Sequence, residues 1–498
     1  MSKAGRDVTA GESTTRREFL RRSAAGVAGM AALPGVARGG AKAEDPPPAA
    51  GPLKVHPTNP RLFADPTGRA VYLTGSHTWA DLHERAYDET PAFEYGAWLE
   101  FLAAHHHNFM RLWAWEHAAW MQFTDRMIRY APNRYVRTGS GKALDGGAKF
   151  DVAKLNGAFF ERLRKRIVEA GRRGIYVAVM LFQGFSIEQK GTKGVDRRKG
   201  NPWDGHPFHR DNNVNGIDGD PGRSGEGRDV HTLKLPAVTR LQEAFVRKVI
   251  ETVNDLDNVL FEVSNESHSD STKWQYHVID LIHAAEAKLP KQHPVGMTFQ
   301  WDHLRNGRNA DLFAGPAEWI SPNAEGGYRD DPPAADGRKV IVTDTDHLWG
   351  IGGNAGWVWK SFCRGLHPIF MDPYLDARTG GTLDRKYDPI RRAMGQTLRL
   401  AERMDLAAMT PRGELASSGY CLAKAAKAAA RYVAYLPKGG RCTMDLSATP
   451  GELAAEWIEP VGGKVHRAAT VRGGARRALT APFDGDAVLH LTSAANEP

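Results

Sequence analysis

Short apolar runs alternate with longer amphipathic segments along most of the chain. Eight of the short runs are predicted strands, at residues 70–76, 109–113, 175–182, 259–263, 294–299, 319–321, 340–343 and 368–370. Helical patterns lie between several of them, at residues 91–104, 155–171, 238–252 and 274–289. Leu155, Phe159, Leu163, Ile167 and Ala170, for example, recur at helical spacing. Strands that alternate with helices indicate a parallel sheet, and eight such units over roughly 340 residues predict a (β/α)8 TIM barrel.

Two further segments differ from this pattern. After about residue 400, short strand-like runs are separated by turns, which predicts a small all-β sandwich over residues 410–495 after a barrel at residues 53–400. Within the barrel, residues 191–234 form a polar insertion rich in Gly, Asp and Arg after the third predicted strand. Long loops of this kind are usually functional or disordered, and we expect this one to lie over the C-terminal face of the barrel.

The first 43 residues have the features of a twin-arginine signal peptide. Arg16 and Arg17 precede a mildly apolar run at residues 23–36, and small residues at 41–43 offer a cleavage site. A Pro/Ala-rich linker follows at residues 44–52. These features predict a periplasmic or extracellular protein whose first partner is the twin-arginine export machinery.

Composition and charge narrow the class of protein. The 498 residues are 41% hydrophobic and 25% charged, which is typical of a globular chain. The net charge is +8, of which residues 1–43 carry +5 (eight Lys/Arg against three Asp/Glu), so the mature part carries +3. This near neutrality gives no support for a nucleic-acid or anionic-membrane partner. No apolar run of ~18 residues follows the signal, so we expect no membrane span in the mature protein.

The residues at the ends of the predicted strands carry the candidate chemistry, because catalytic groups of a TIM barrel lie at the C-terminal ends of its strands. The candidate catalytic carboxylates are Glu266, Asp344 and Asp346. The candidate substrate-binding residues are His77, Trp79, Arg111, Trp113, Gln183, Asn265, His268, Gln300, Trp301, Tyr328, His347, Trp349 and Asp372. Two carboxylates across a cleft suit acetal hydrolysis, and aromatic rings suit sugars because the flat C–H faces of a sugar stack on them.

Two stretches carry a resemblance to a known family. NVLFEVSNE at residues 258–266 resembles the fourth strand of the clan-A glycoside hydrolases, the cellulase-like barrels. The resemblance implies that Glu266 is the general acid/base, that Arg111 braces the nucleophile, and that Asp344 lies at the position of the nucleophile. YLTGSHTW at residues 72–79, with the late β-domain, is similar to the apiosidase-like members that carry a collagen-binding-type C-terminal domain.

One departure from the family leaves an alternative open. The seventh predicted strand ends in Asp344, whereas the family has Glu there, and Asp is shorter by one methylene. Asp346, two residues further on, is therefore a second candidate for the same role. A carboxyl separation of about 5–5.5 Å implies retention and one of roughly 6.5–9.5 Å implies inversion, and the sequence leaves both outcomes open.

The sequence therefore predicts a secreted glycoside hydrolase that acts on a polysaccharide without a cofactor or metal. One alternative is a non-catalytic carbohydrate- or matrix-binding protein on a degenerate barrel. Another is a metal-dependent hydrolase that uses Asp344, Asp346 and His347. Residues 211–216 resemble the first half of a calcium loop, but Gly222, at position twelve of such a loop, stands where a bidentate Glu is expected. A loop that shapes the cleft is the favoured interpretation, with His206, His209 and Asn213 near substrate.

Overall fold

The computed structural model describes residues 47–87, 92–190, 200–302, 305–374 and 383–493. The predicted signal at residues 1–43 lies outside the described residues, as does the first part of the predicted insertion, residues 191–199.

Eight parallel strands in the described residues form a nearly closed barrel. They are β1 (Gly75–His77), β2 (Phe109–Leu112), β3 (Tyr176–Gln183), β4 (Val259–Asn265), β5 (Val295–Thr298), β6 (Trp319–Ser321), β7 (Val340–Asp344) and β8 (His367–Met371). Each strand from β2 to β7 pairs with the next, and β8 pairs with β1. Between β1 and β2 the closure consists of a parallel bridge from Thr78 to Leu112 and a hydrogen bond from the Asn108 N–H to the Thr74 carbonyl at 3.1 Å. The predicted TIM barrel is confirmed.

The strands are continuous apolar runs because both of their faces are buried. All eight residues of β3 are buried, and so are all seven of β4. Leu73, Phe109, Ala178, Leu260 and Val342 belong to one buried core cluster.

The helices pack around the barrel with an apolar face turned inward. They are α1 (Tyr95–Ala104), α2 (Gly157–Gly171), α3 (Pro236–Val253), α4 (Thr272–Glu286), α5 (Asn309–Ala314), α6 (Thr345–Leu348), α7 (Ala355–Cys363) and α8 (Asp388–Glu402). In α2 the buried residues include Phe159, Leu163, Ile167 and Ala170, and Asn156 caps the helix by accepting a hydrogen bond from the Ala158 N–H at 3.2 Å. The periodicity at residues 159–170 therefore predicted the buried face of this helix.

The boundaries differ from the sequence pattern in two places. Leu155 belongs to the strand Ala148–Leu155, which pairs with Tyr135–Lys142, and not to the helix predicted from residue 155. The predicted strand at residues 70–76 is two strands: Ala70–Val71 pairs with Phe63–Ala64, and β1 starts only at Gly75. Lys54–Val55 completes this small sheet, and Glu84–Ala86, Ala119–Trp120 and Ile128–Ala131 form another. The hairpin of Tyr135–Lys142 and Ala148–Leu155 is exposed at most positions, and its apolar alternation is limited to Phe150 and Val152, which is too short a signal to predict it.

The C-terminal region is the predicted β-sandwich. Its strands are β9 (Thr410–Pro411), β10 (Cys421–Lys424), β11 (Arg431–Leu436), β12 (Arg441–Asp445), β13 (Glu452–Ile458), β14 (Val465–Arg472), β15 (Arg476–Thr480) and β16 (Ala487–Ser493). The larger sheet has the order β9-β10-β11-β16-β13-β14, and β12 pairs with β15 in the smaller one. Tyr432, Met444, Leu453 and Leu489 are fully buried in one core cluster of this region.

The β-sandwich packs directly on the barrel. Val433, Tyr435 and Val488 belong to the same core cluster as the barrel helices. The Trp359 indole of α7 is fully buried and donates to the Pro460 carbonyl at 2.9 Å. The two parts therefore share a continuous apolar core. Among the described residues, none of the helices combines the length and apolar character needed to cross a bilayer.

We expect Trp359→Ala to lower the free energy of unfolding by about 3–5 kcal/mol, because it leaves a cavity between barrel and sandwich. Urea unfolding followed by circular dichroism measures this change. Val465, which is 41% exposed on β14, supplies the control, since Val465→Ala should change stability by less than about 0.5 kcal/mol. Equal losses in the two variants would contradict the shared core.

Candidate active site

Arg111 of β2 is the centre of a buried ionic network at the carboxyl ends of the strands. Its guanidinium makes two hydrogen bonds to Glu262 of β4, at 2.5 and 2.8 Å. It also donates to Asp344 of β7 at 2.8 Å and to the Asn265 side-chain oxygen at 2.6 Å, and it lies 3.5 Å from Asp346. The cation thus ties together three strands that are far apart in sequence.

Asp344 is held as an anion by this arrangement. Burial alone would raise the pKa of its carboxyl, but the neighbouring His77 and Arg111 more than offset burial, so the net pKa lies below the ordinary value. The His77 Nε2 lies 2.9 Å from one carboxylate oxygen, and the Asp346 N–H donates to the other at 2.8 Å. Asp344 is therefore ionised and well supplied with donors.

The hydrogen bonds also define the protonation of His77. The Trp113 indole N–H lies 2.8 Å from His77 Nδ1. Because an indole nitrogen only donates, Nδ1 must accept, and the ring proton resides on Nε2, where it faces Asp344.

A second set of contacts joins the ends of β4 and β7. His347 Nε2 lies 3.1 Å from the Asn265 side-chain oxygen, and its Nδ1 lies 2.7 Å from the Ser321 hydroxyl of β6. The Asn265 amide in turn donates to the Gln183 side chain of β3 at 3.1 Å. Asn265 is thus bonded from three directions, by Arg111 of β2, Gln183 of β3 and His347 of α6.

Glu266 directly follows this anchored asparagine and is also buried. Its backbone adopts φ +46°, a left-handed conformation that is uncommon for a residue with a side chain. The Gly184 backbone packs so closely against the Glu266 carbonyl that a Cβ at Gly184 would lie 2.1 Å from the carbonyl oxygen. Since β4 and β7 are parallel and joined through Arg111, Glu266 and Asp344 lie at the same end of the barrel.

A second buried carboxylate, Glu116, belongs to a group of residues to which the sequence analysis assigned no role, and this group contacts the residue after Glu266. Glu116 accepts hydrogen bonds from the Gln183 N–H at 2.9 Å and from His231 at 3.0 Å, and Arg134 lies 3.4 Å away. Burial alone would raise the pKa of Glu116, but Arg134 and His231 outweigh it and hold the pKa well below the ordinary value. His231 Nδ1 lies 2.9 Å from the hydroxyl of Ser267, the residue after Glu266.

Aromatic side chains lie around this network. Trp79 packs edge-on against Trp113, with ring centroids 6.4 Å apart. Trp301 is partly exposed and stacks on Phe185 at 5.7 Å and 26°. Trp349, also partly exposed, packs edge-on against a buried tryptophan of α7. Partly exposed rings near a polar centre suit sugar stacking.

Four predicted substrate-binding residues have other partners. Asp372 forms a bidentate ion pair with Arg391 of α8, at 2.6 and 2.7 Å. The Gln300 amide donates to side chains at the start of α4, and the Tyr328 carbonyl accepts from a tryptophan of α7. His268 lies 2.8 Å from the Arg228 carbonyl, and burial lowers its pKa to about 4. Their predicted contact with substrate stays a prediction.

No group of three or more His, Cys, Asp or Glu side chains in the described residues is arranged to hold a metal ion. The three histidines that follow α1 contact three different partners: Phe101, Glu402 and Arg391. In the calcium-like segment, the Asn213 amide donates to main-chain carbonyls of its own loop, such as that of Ile217 at 2.9 Å. These contacts favour the interpretation of this segment as a structural loop.

Comparison with solved structures shows the fold of this chain. A structure described as a glycoside hydrolase superimposes with a TM-score of 0.57 at 12% identity, over 90% of this chain and 98% of that chain. A glycoside hydrolase family 5 protein from Bacteroides vulgatus ATCC 8482 superimposes with a TM-score of 0.55 at 14% identity, over 89% and 94%. No protein-family model and no curated protein matches the sequence.

We expect Asp344→Asn to destabilise the fold by about 3 kcal/mol at pH 7, because it breaks a buried ion pair. The folded-state pKa of Asp344 lies below the unfolded value of about 3.9, so its stabilisation is complete above about pH 4 and is lost as the pH falls through the folded-state pKa. The stability difference between variant and wild type should therefore narrow below about pH 4. Urea unfolding at pH 7, 5, 4 and 3 measures it.

The exposed Asp484 provides the matched control, since Asp484→Asn should have little effect at any of these pH values. A loss in Asp344→Asn that stays constant from pH 7 to pH 3 would show that folding does not lower the pKa of Asp344.

Proposed function

We propose that this protein is a secreted glycoside hydrolase that cleaves a polysaccharide with two carboxylates. The observation that carries the proposal is the position of Glu266 one residue beyond the network that joins Arg111, Asn265 and Asp344. The barrel supports it as well, since its similarity to solved glycoside hydrolases extends over most of the chain.

In this mechanism Glu266 is the proton donor. It transfers its proton to the glycosidic oxygen as the bond from that oxygen to the anomeric carbon breaks, and the oxygen leaves as a hydroxyl. If Asp344 attacks, it bonds to the anomeric carbon; water then displaces Asp344 from that carbon, and Glu266 accepts the proton of this water. Its buried position at the end of β4 supports this role, because exclusion of water strengthens interactions with the charge that develops.

Asp344 is the carboxylate that meets the anomeric carbon. Its lowered pKa keeps it anionic, which suits attack on, or electrostatic stabilisation of, the positively charged centre. The same lowered pKa makes Asp344 a poor general base, because a base works best with a pKa near the working pH. If water attacks directly, Asp346 is the second candidate for the base, since it lies two residues after Asp344 in the same network, 3.5 Å from Arg111.

The other predicted residues divide into those that orient the carboxylates and those that bind sugar. Arg111, His77 and Asn265 contact the carboxylates or each other and orient them. Trp301 and Trp349 are partly exposed and supply faces for sugar rings. These surfaces determine the specificity for the sugar and the linkage, which a substrate screen can identify.

Glu266→Gln should lower kcat/KM on the cleaved glycan by about 10²–10⁴-fold, because an amide cannot donate a carboxylic proton. Release of reducing ends from a panel of complex polysaccharides measures the activity. Glu325→Gln is the control, because Glu325 also follows a barrel strand and accepts a backbone hydrogen bond, from the Asn309 N–H at 2.9 Å.

Unchanged turnover in Glu266→Gln on any glycan that the wild type cleaves would refute the acid/base assignment. Specific glycan binding without cleavage by the wild type would instead support the non-catalytic alternative.

We also propose export through the twin-arginine pathway, on the basis of the Arg16-Arg17 pair, the apolar run and the small residues that follow. This pathway delivers a folded enzyme to the compartment where large polysaccharides occur.

Replacement of Arg16 and Arg17 by Lys should keep the protein in the cytoplasm as an uncleaved precursor. Arg21 and Arg22 form a second pair in the same leader, so their replacement by Lys is the matched control and should leave export intact. Cell fractionation and immunoblotting distinguish the two variants, and equal export of both would contradict the assignment.

A further inference from the structure

The Lys190 ammonium is buried against oxygen atoms from three segments next to Glu266. Its side chain is fully buried. It lies 2.6 Å from a Glu188 carboxylate oxygen, donates to the backbone carbonyl of Glu266 at 2.5 Å, and donates to the backbone carbonyl of Trp301. Two of the ammonium donors thus bond to backbone carbonyls, and the Glu188 carboxylate compensates the buried charge.

A series of ion pairs connects Lys190 to the Trp301–Asp302 segment by a second route, through Glu188 and Arg228. The other oxygen of Glu188 pairs with Arg228, and Arg228 lies 3.2 Å from Asp302, the residue after Trp301. The Trp301–Asp302 segment is therefore held at two points, by Lys190 through a carbonyl and by Arg228 through a carboxylate. Breaking one partner of such a buried ionic group usually has a large effect, because the remaining charge stays buried.

These contacts of Lys190 connect Glu266, the proposed proton donor, with the aromatic surface of Trp301. The Trp301 N–H donates to the Ser267 carbonyl at 3.0 Å, so the backbone at Trp301 lies directly beside the residue after Glu266. The Trp301 ring is partly exposed and stacks on Phe185. Lys190 and Phe185 both belong to the segment after β3, whereas Asp344 is contacted from β1, β2 and α6.

We propose that Lys190 is a positioning residue that sets the Trp301 ring relative to Glu266, and that this ring binds the sugar on the leaving-group side of the cleaved bond. The inference rests on the proposed function, because the leaving-group side is defined by the proton that Glu266 donates. The Trp301 surface belongs to that side because it is anchored to the proton donor and not to the Asp344 network.

The kinetic test compares two kinds of substrate. The probes are a panel of 2,4-dinitrophenyl glycosides and the oligosaccharides built from the same sugars. The dinitrophenolate departs without a proton and offers no sugar to Trp301, so Lys190→Met should lose about 10- to 100-fold in kcat/KM on the oligosaccharide and less than about threefold on the aryl glycoside.

Lys339→Met is the matched control. Lys339 also donates to two backbone carbonyls, those of Gly315 and Ala317 at 2.8 and 2.5 Å, but it precedes β7 and lies at the opposite end of the barrel. It should show no difference between the two kinds of substrate. If Lys190→Met folds poorly, the double variant Glu188→Gln/Lys190→Met removes the uncompensated charge and is measured in the same way.

Hydrogen exchange tests the anchoring without any activity. The Trp301 amide should exchange faster in Lys190→Met than in wild type, while Lys339→Met should leave it unchanged. An unchanged Trp301 amide overturns the anchoring role, and equal losses on both kinds of substrate overturn the leaving-group assignment. A wild-type protein inert on every glycan refutes the proposed function and with it the leaving-group assignment, whereas the exchange result still decides the anchoring.

Discussion

The mouth of the barrel, at the carboxyl ends of its strands, depends on the buried positive charge of the Arg111 guanidinium. A lone cation in this position would cost several kcal/mol, because burial removes its hydration. Here Glu262 and Asp344 pair with it directly and Asp346 lies close by, so the carboxylates raise the pKa of Arg111 although burial by itself would lower it. The pairing works only while β2, β4 and β7 keep their register, which links the ionic network to the closure of the barrel.

The network also divides the mouth into two sides. On one side, β1, β2 and α6 supply donors to Asp344 and keep it anionic. On the other, the segments after β3 and β5 carry Lys190 and Trp301. Glu266 lies between them, with Asn265 bonded to the first side and its own carbonyl bonded to the second. In the proposed mechanism, the bond to be cleaved has Asp344 on one side and Glu266 on the other.

The apolar pattern predicted all eight barrel strands, because strands covered on both faces must be apolar throughout. It did not predict the hairpin that begins at Tyr135, because most of its positions are exposed and only Phe150 and Val152 alternate as buried apolar residues. The strand ends likewise predicted residues that the structure brings together, including His77, Arg111, Asn265, Asp344 and His347.

Other parts of the site depend on long-range packing that the sequence pattern does not record. Glu262 lies inside β4 rather than at its end, and an acid within an apolar strand was the signal that could have identified it. Lys190, just before the polar insertion, bonds to Glu266, and His231, near the end of the insertion, bonds to Ser267, so only the tertiary structure reveals them. Asp372 follows its strand as expected, but the buried Arg391 of α8 engages both of its oxygens.

The central claim is that Glu266 and Asp344 act on one glycosidic bond from opposite sides. A crystal structure of the inactive Glu266→Gln variant with a cleavable oligosaccharide tests it most directly. We predict that the glycosidic oxygen lies within hydrogen-bond distance of residue 266 and that the Asp344 carboxylate faces the anomeric carbon. An oligosaccharide bound elsewhere, or one whose anomeric carbon is separated from Asp344 by other protein groups, would contradict the account.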